Sequence, residues 1–282
     1  MTLEAKGSMA SKSSNRKALS AVDAYGDSDL YPTNAVSARP QSDPKPWADR
    51  LLADKLSLVK KYYPGGSVLD ICCATGEHLM ALSPDIETGI GVDFSQRYID
   101  KSVKNMIHYQ ARNLTFIRGD ATALPLKNGV AGLAYCFSSI YQIRDTGSVI
   151  RELARVLCPG GIAILDFGNR RSLNTYCLRY YTDWPQTFPI TVPEMRAMLR
   201  ANDLAIEEHR SYQILPLWAG LPRHLWPLLH PAWQELMRRR VAGRMIDEWI
   251  SSLPGLRQFA FRHVIVCRKT ATSSQNTMQE QR

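Results

Sequence analysis

The chain has 282 residues, 45% of them hydrophobic, and 35 Lys and Arg against 26 Asp and Glu, for a formal charge of +9. That is enough apolar residue for a full globular core, and it excludes a disordered or fibrous chain. The basic balance suits nucleic acid, anionic lipid or a phosphorylated substrate, and equally suits simple solubility with a basic tail.

Residues 1–43 are polar and dotted with Pro and Ser, and they read as a flexible leader carrying Tyr25 and Tyr31 as anchors, with Trp47 just beyond. They show no apolar secretory core. A helix is expected over 46–63, with Leu51, Leu52, Leu56 and Val59 at helical spacing, stopped by Pro64-Gly65-Gly66. A first strand, Ser67 to Ile71, runs into the small residues Cys72-Cys73-Ala74-Thr75-Gly76. A second strand ends on Asp93, seventeen residues after Gly76. One helix linking two neighbouring parallel strands needs a separation of roughly 20 residues.

Small residues are needed in such a loop because the chain turns sharply and a ligand approaches its backbone. An acid on the second strand can accept hydrogen bonds from both hydroxyls of a ribose. The glycines of a dinucleotide fingerprint are absent, which argues against a diphosphate ligand.

Ser95 caps the next helix, expected to about Ala111. Strand three is Leu114 to Arg118, followed by Gly119-Asp120-Ala121, and strand four runs from about Gly132 to Phe137. A helix carrying Ile150, Leu153, Val156 and Leu157 stops at Pro159-Gly160-Gly161, and strand five is Ile162 to Phe167. A helix over 192–201, a strand over 205–214 and a last strand over 262–268 complete the alternation. The fold class is therefore α/β, with a doubly wound, mostly parallel seven-stranded sheet and a helical insert before the last strand. Such sheets bind ligands at the carboxyl ends of their strands, where Asp70, Asp93 and Asp120 all fall. The domain spans 44–270 and a disordered tail takes 271–282. The insert, 216–261, holds four tryptophans and the run Arg238-Arg239-Arg240.

The six cysteines, Cys72, Cys73, Cys136, Cys158, Cys177 and Cys267, form no C-x-x-C or Cys/His cluster. A disulfide framework and a metal site are therefore not expected, and a reducing cytoplasm fits.

Taken in order, these segments resemble the class I S-adenosylmethionine (SAM) methyltransferases of small molecules, the UbiE-like type. The loop after Val68-Leu69-Asp70 matches that family's first motif, with Cys72 and Ala74 replacing two of its glycines and Gly76 keeping the third. Gly119-Asp120-Ala121 with Leu124-Pro125-Leu126 matches a second segment, and Glu152 through Gly161 a third. The family's usual acid at the start of strand four is missing, since Val130-Ala131-Gly132-Leu133 stands there. The resemblance implies SAM as cofactor. Asp93 would take the ribose, Asp120 the adenine amino group, Ala121 the ring through its amide, and Phe94 the adenine face. Asp70, Cys72, Ala74 and Gly76 would border the methionine end, with Phe137 and Ser138 beside them.

The same resemblance leaves the acceptor open, because the sulfonium is already a leaving group and the enzyme mainly positions a nucleophile. No catalytic residue is assigned. Candidate bases are His78, His108, His209, His224, His230 and His263, with Tyr141 as an acceptor contact. His224 and His230 rank highest because they lie in the insert, whereas His263 begins an apolar strand and reads as structural. The expected partner is a small apolar or lipid-linked acceptor, with the insert as a lid over it or as a peripheral contact with an anionic membrane. Nucleic acid is not expected. The competing readings are a non-catalytic SAM-fold subunit and an RNA or protein methyltransferase.

Overall fold

A computed structural model describes residues 46–181, 187–215, 225 and 231–270. The expected leader, the tail, and Trp218, Trp226, His224 and His230 of the insert lie outside the described residues. Helix α1 (Pro46–Tyr62) leads into β1 (Ser67–Ile71), α2 (Glu77–Leu82), β2 (Thr88–Asp93), α3 (Gln96–His108) and β3 (Leu114–Arg118). Then follow β4 (Ala131–Cys136), α4 (Thr146–Val156), β5 (Leu157–Gly168), α5 (Leu173–Tyr181), α6 (Val192–Ala201) and β6 (Leu204–Tyr212). The insert contributes α7 (Pro231–Arg238), β7 (Arg240–Val241), β8 (Arg244–Met245) and α8 (Ile246–Ser252) before β9 (Arg262–Lys269).

The sheet order is β3-β2-β1-β4-β5-β9-β6. Only β9 runs antiparallel to its neighbours, so β6 points the same way as β1 to β5. This is the doubly wound, mostly parallel seven-stranded sheet that the alternation predicts. Alternate residues of each strand feed two cores, as a sheet covered on both faces requires. Ile162 and Ile164 of β5 join Leu58, Val59, Leu79 and Leu82 on the α1–α3 face. Ala163, Leu165 and Phe167 join Leu153, Met195 and Leu199 on the α4/α6 face.

Several boundaries differ from expectation. Strand β6 spans Leu204–Tyr212 rather than 205–214, because Gln213 takes a left-handed φ of 64° and turns the chain off the sheet. Pro159-Gly160-Gly161 does not separate α4 from β5. It bends the start of the strand, with a register shift opposite Ala131 and Leu133. Helix α5 has no expected counterpart. The described part of the insert is only partly helical, since β7 and β8 pair across Ala242-Gly243. Both turn residues have positive φ, 51° and 77°, as a two-residue hairpin turn of the mirror-image type demands.

The chain leaves the sheet at the end of β6 and returns at the start of β9, so the described part of the insert returns to the sheet at its carboxyl edge. Asp247 of α8 is fully buried there and accepts from the backbone N–H of Gln213 at 2.6 Å and Ile214 at 3.1 Å. Ser211 Oγ donates to the Ser251 carbonyl at 2.7 Å, and Arg50 of α1 pairs with Glu248 at 2.8 Å. Burial pushes the Asp247 carboxyl up to about 6. Asp247→Ala leaves two buried N–H groups unpaired, at about 1–3 kcal/mol each. We expect lower stability in urea and faster hydrogen exchange confined to residues 211–215 and 246–252.

Candidate functional site

The loop between β1 and α2 is built from left-handed backbone. Cys72, Ala74 and Gly76 have φ of 63°, 46° and 74°. Two of the three are not glycine, so the conformation is strained and must be held by its surroundings. The Asp93 carboxylate holds it, accepting from Ala74 N–H at 2.9 Å with one oxygen and from Ser95 N–H at 3.0 Å with the other. Cys73 N–H bonds Val92 O at 3.0 Å, and the Asn105 side chain donates to Thr75 O at 3.0 Å. At Gly76 a Cβ would stand 2.6 Å from the Phe116 ring, so this position has room only for glycine. The loop is therefore a tight cradle, and its retained glycine is a steric necessity.

Asp70 lies one strand away on β1, 1% exposed, and its Oδ2 finds no hydrogen-bond partner. The nearest basic atom is His78 Nδ1 at 3.9 Å. Burial pushes the Asp70 carboxyl well above the carboxylate range, against the Tyr135 hydroxyl beside it and with nearby Asp93 adding to the rise. Burial likewise holds the His78 ring down to about 4, aided by Lys55, so His78 is neutral and leaves Asp70 without a counter-ion. A buried, unpaired carboxylate oxygen is a site for a ligand's cation. Neighbouring Cys136 and burial raise the Cys72 thiol well up, so it stays protonated.

The other expected residues fall along the same edge. Asp120, exposed after β3, accepts from Thr122 N–H and Oγ1 through one oxygen, both at 2.8 Å, and Ala121 beside it is buried. Phe94 is half-buried after β2. Phe137 is buried after β4, stacked on Tyr135 at 4.5 Å, and its neighbour Ser138 has a φ of 59°.

Ser138 opens on a cluster that sequence reasoning missed. Lys55 of α1, Asp166 of β5 and Arg262 of β9 meet in the interior, all at most 6% exposed. Asp166 Oδ2 accepts from both cations. Lys55 Nζ and Arg262 Nη2 also reach Ser138 Oγ, at 3.0 and 2.8 Å. The Arg262 guanidinium stands 4.9 Å over the Tyr141 ring. Burial, and then the Arg262 charge against it, brings Lys55 down to about 8 despite the attraction of Asp166. Burial would raise the Asp166 carboxyl, but Arg262 and Lys55 outweigh it and hold it below the usual range. With Lys55 charged, the cluster carries one excess positive charge, and with Lys55 neutral it carries none. Only two signals hinted at it in the sequence: an acid inside an apolar strand, and a basic residue opening another.

The histidines separate cleanly. His78 joins the site, edge-on to Phe137 at 5.7 Å. His263 and His209 sit together on the opposite face of the sheet, and His108 is exposed at the end of α3. Among the described residues no three of His, Cys, Asp or Glu converge as a metal site would need.

Comparison with known proteins relates part of the chain to a family and the whole sheet to a fold. Residues 68–161 match the methyltransferase domain family. A demethylmenaquinone methyltransferase of Lactococcus lactis is 32% identical over 100 residues, 34% of this chain and 40% of that protein. The chain thus matches less than half the length of that relative. Among solved structures, the YcgJ protein of Bacillus subtilis shares the fold at a TM-score of 0.55 and 20% identity, over 78% of this chain and all of that one. The geranyl diphosphate C-methyltransferase of Streptomyces coelicolor, solved with S-adenosyl-L-homocysteine, superposes at a TM-score of 0.54 and 15% identity, over 78% of each chain. Residues 68–161 thus match a methyltransferase domain, and the sheet that carries them has the fold of these solved proteins.

The ion cluster makes a stability prediction. Asp166→Ala strands two buried cations, and breaking a buried pair this way costs about 3–5 kcal/mol. Urea unfolding should show a loss of that size. A change under 1 kcal/mol would mean that Lys55 and Arg262 reach water.

Proposed function

We propose that the protein binds SAM along the carboxyl edge of β1, β2 and β4 and transfers its methyl group to a small molecule held beside β4, β5 and β9. The observation that carries this reading is the pairing of a strained small-residue cradle with two buried acids, Asp93 bound to the cradle and Asp70 lacking a counter-ion. SAM is a cation with a ribose diol, an α-ammonium and an adenine, and the donor set suits each part. Asp93 would take the diol, since a carboxylate has room for further bonds beyond the two it makes. Asp70 would take the ammonium, and Asp120 with the Ala121 amide the adenine against Phe94. Cys72, Ala74 and Gly76 would let the backbone approach the methionine arm, with Phe137 and Ser138 completing the wall.

When bound, SAM supplies a methyl group on a positively charged sulfur, so the protein's work is orientation, exclusion of water and control of any proton on the acceptor. The Lys55–Asp166–Arg262 cluster is placed for the last of these. It lies about three strands from Asp93, some 14 Å at the usual spacing, and so on the acceptor side of the cofactor. Lys55 in its neutral form can accept a proton, and Asp166 then stabilises the charge that appears on it while Arg262 opposes it. The likeness to a demethylmenaquinone methyltransferase supports a small-molecule acceptor, and the insert on the carboxyl edge supports an apolar one beneath a lid.

Two measurements test this reading. Asp93→Ala should weaken SAM binding by calorimetry at least tenfold, since it removes charge-assisted bonds worth about 1.5–3 kcal/mol each. Wild-type affinity in that variant would overturn the assignment. The second concerns pH. In the free protein Asp70 keeps a proton to well above the carboxylate range, and a neighbouring ammonium favours its charged form. Binding therefore releases a proton, so affinity should rise with pH until free Asp70 is itself ionised. Asp70→Asn should bind more weakly and lose that component of the pH dependence.

A further inference from the structure

On the face of the sheet away from Asp93 and Lys55 lies a second cleft, of about 590 Å³, between α6 and the segment that joins α8 to β9. Val192, Pro193, Arg196 and Arg200 line one wall, and Ser252, Pro254, Gly255, Arg257 and Gln258 the other. Three arginines line it and no acid does. Glu194, the acid nearest in sequence on α6, is already paired with Arg170 at 2.5 Å.

The arginines are supported from behind. His263 Nε2 lies 3.1 Å from the Ala260 carbonyl, which can only accept, so this nitrogen carries the proton. His263 Nδ1 therefore accepts from His209 Nε2 at 2.9 Å, and His209 Nδ1 is left to accept from Arg196 at 3.5 Å. Burial, and then the positive field around the pair, holds these rings down to about 3 for His209 and about 4 for His263. A relay of two neutral histidines thus steadies Arg196. Arg257 donates to Ser252 O at 3.4 Å through one terminal nitrogen, while its buried Nε finds no partner.

The segment that forms one wall of the cleft also carries exposed apolar residues. Leu253, Leu256 and Phe259, interleaved with the lining residues, are 50%, 41% and 44% exposed. Trp233, Leu236 and Trp249 add further exposed apolar surface from the same insert, beside Arg239, Arg240 and Arg244. More than half of the large apolar side chains exposed among the described residues lie between 231 and 261. No helix among the described residues is long and apolar enough to cross a membrane.

We propose that this face docks on an anionic phospholipid bilayer, with a headgroup phosphate in the Arg196–Arg200–Arg257 cleft and Leu253, Leu256 and Phe259 entering the acyl boundary. Charge complementarity selects the partner. An unbalanced triple of guanidinium groups suits a phosphate oxyanion, and exposed apolar residues next to it suit the layer directly beneath that phosphate. A soluble phosphate ligand would account for the arginines and leave the exposed apolar residues of the same segment unexplained. The proposal is independent of the methyl-transfer reading, because it uses residues on the other face of the sheet.

The test is sedimentation of the full chain with vesicles of phosphatidylcholine alone and of phosphatidylcholine with phosphatidylglycerol. We expect binding only to the anionic vesicles. Replacing all three arginines by glutamine should weaken it roughly 100-fold, the sum for three basic groups near an anionic surface. A second variant, Leu253→Ser with Leu256→Ser and Phe259→Ser, should also lose vesicle binding while keeping all three arginines. Circular dichroism checks that both variants fold, and a variant that unfolds is replaced by the single Arg200→Gln or Phe259→Ser change on exposed residues. Failure to bind anionic vesicles would overturn the proposal, as would binding unchanged in both variants, which would place it elsewhere in this basic chain. Saturable binding of inorganic phosphate by a protein that ignores vesicles would also overturn it, in favour of a soluble ligand.

Discussion

The carboxylate of Asp166 is the point on which the β5–β9–β6 half of this molecule depends. A single acid at the end of β5 pairs with a lysine from the helix that precedes the sheet and an arginine from the strand that closes it. Burying one ion in an apolar interior is prohibitive, and burying three is tolerable only if each is paired and hydrogen-bonded. Ser138 supplies the remaining contacts, donating its N–H to Asp166 at 3.2 Å and offering its hydroxyl to both cations. The cluster fixes α1 over the carboxyl edge. A second set of bonds on the same helix, Asp54 to Arg210 and Tyr212 of β6, fixes its rotation. The first helix and the last two strands of the sheet are thereby a single unit around the place where chemistry would occur.

The cofactor half rests on a different device. Left-handed backbone at Cys72 and Ala74 costs free energy that glycine would avoid. That cost is offset by Asp93, which reaches across from β2 to the Ala74 amide. The same carboxylate thus builds the loop and presents itself to whatever the loop holds. An acid can do both because its two oxygens offer more acceptor positions than two backbone donors use. The glycine-poor version of the loop is a stable cradle for this reason.

The two faces of the sheet carry opposite kinds of positive charge. On one, Lys55 and Arg262 are internal and share the single carboxylate of Asp166. On the other, Arg196, Arg200 and Arg257 line an open cleft with no acid among them. A net charge of +9 spread evenly would imply only solubility. Three arginines gathered on one cleft without an acid, on a segment with exposed apolar residues, suit an anionic surface.

The sequence by itself determined the sheet, the order of its elements and the acids and small residues along its carboxyl edge. Hydrophobic runs of strand length alternating with amphipathic helices allow few other folds, and small residues followed by an acid at a strand end are local signals. Boundaries were less legible where backbone conformation rather than composition decides, as at Gln213, at Pro159 and in the Ala242-Gly243 turn. Only the tertiary structure decided the acceptor side. Lys55, Ser138, Asp166 and Arg262 are up to 207 positions apart in the chain, and no periodicity or spacing links them. They meet because α1 crosses the sheet edge and β9 inserts between β5 and β6, which is a property of topology. The same is true of the histidine pair that steadies Arg196: read singly, His209 and His263 are unremarkable residues, and their role appears only when adjacent antiparallel strands bring their rings within hydrogen-bond distance.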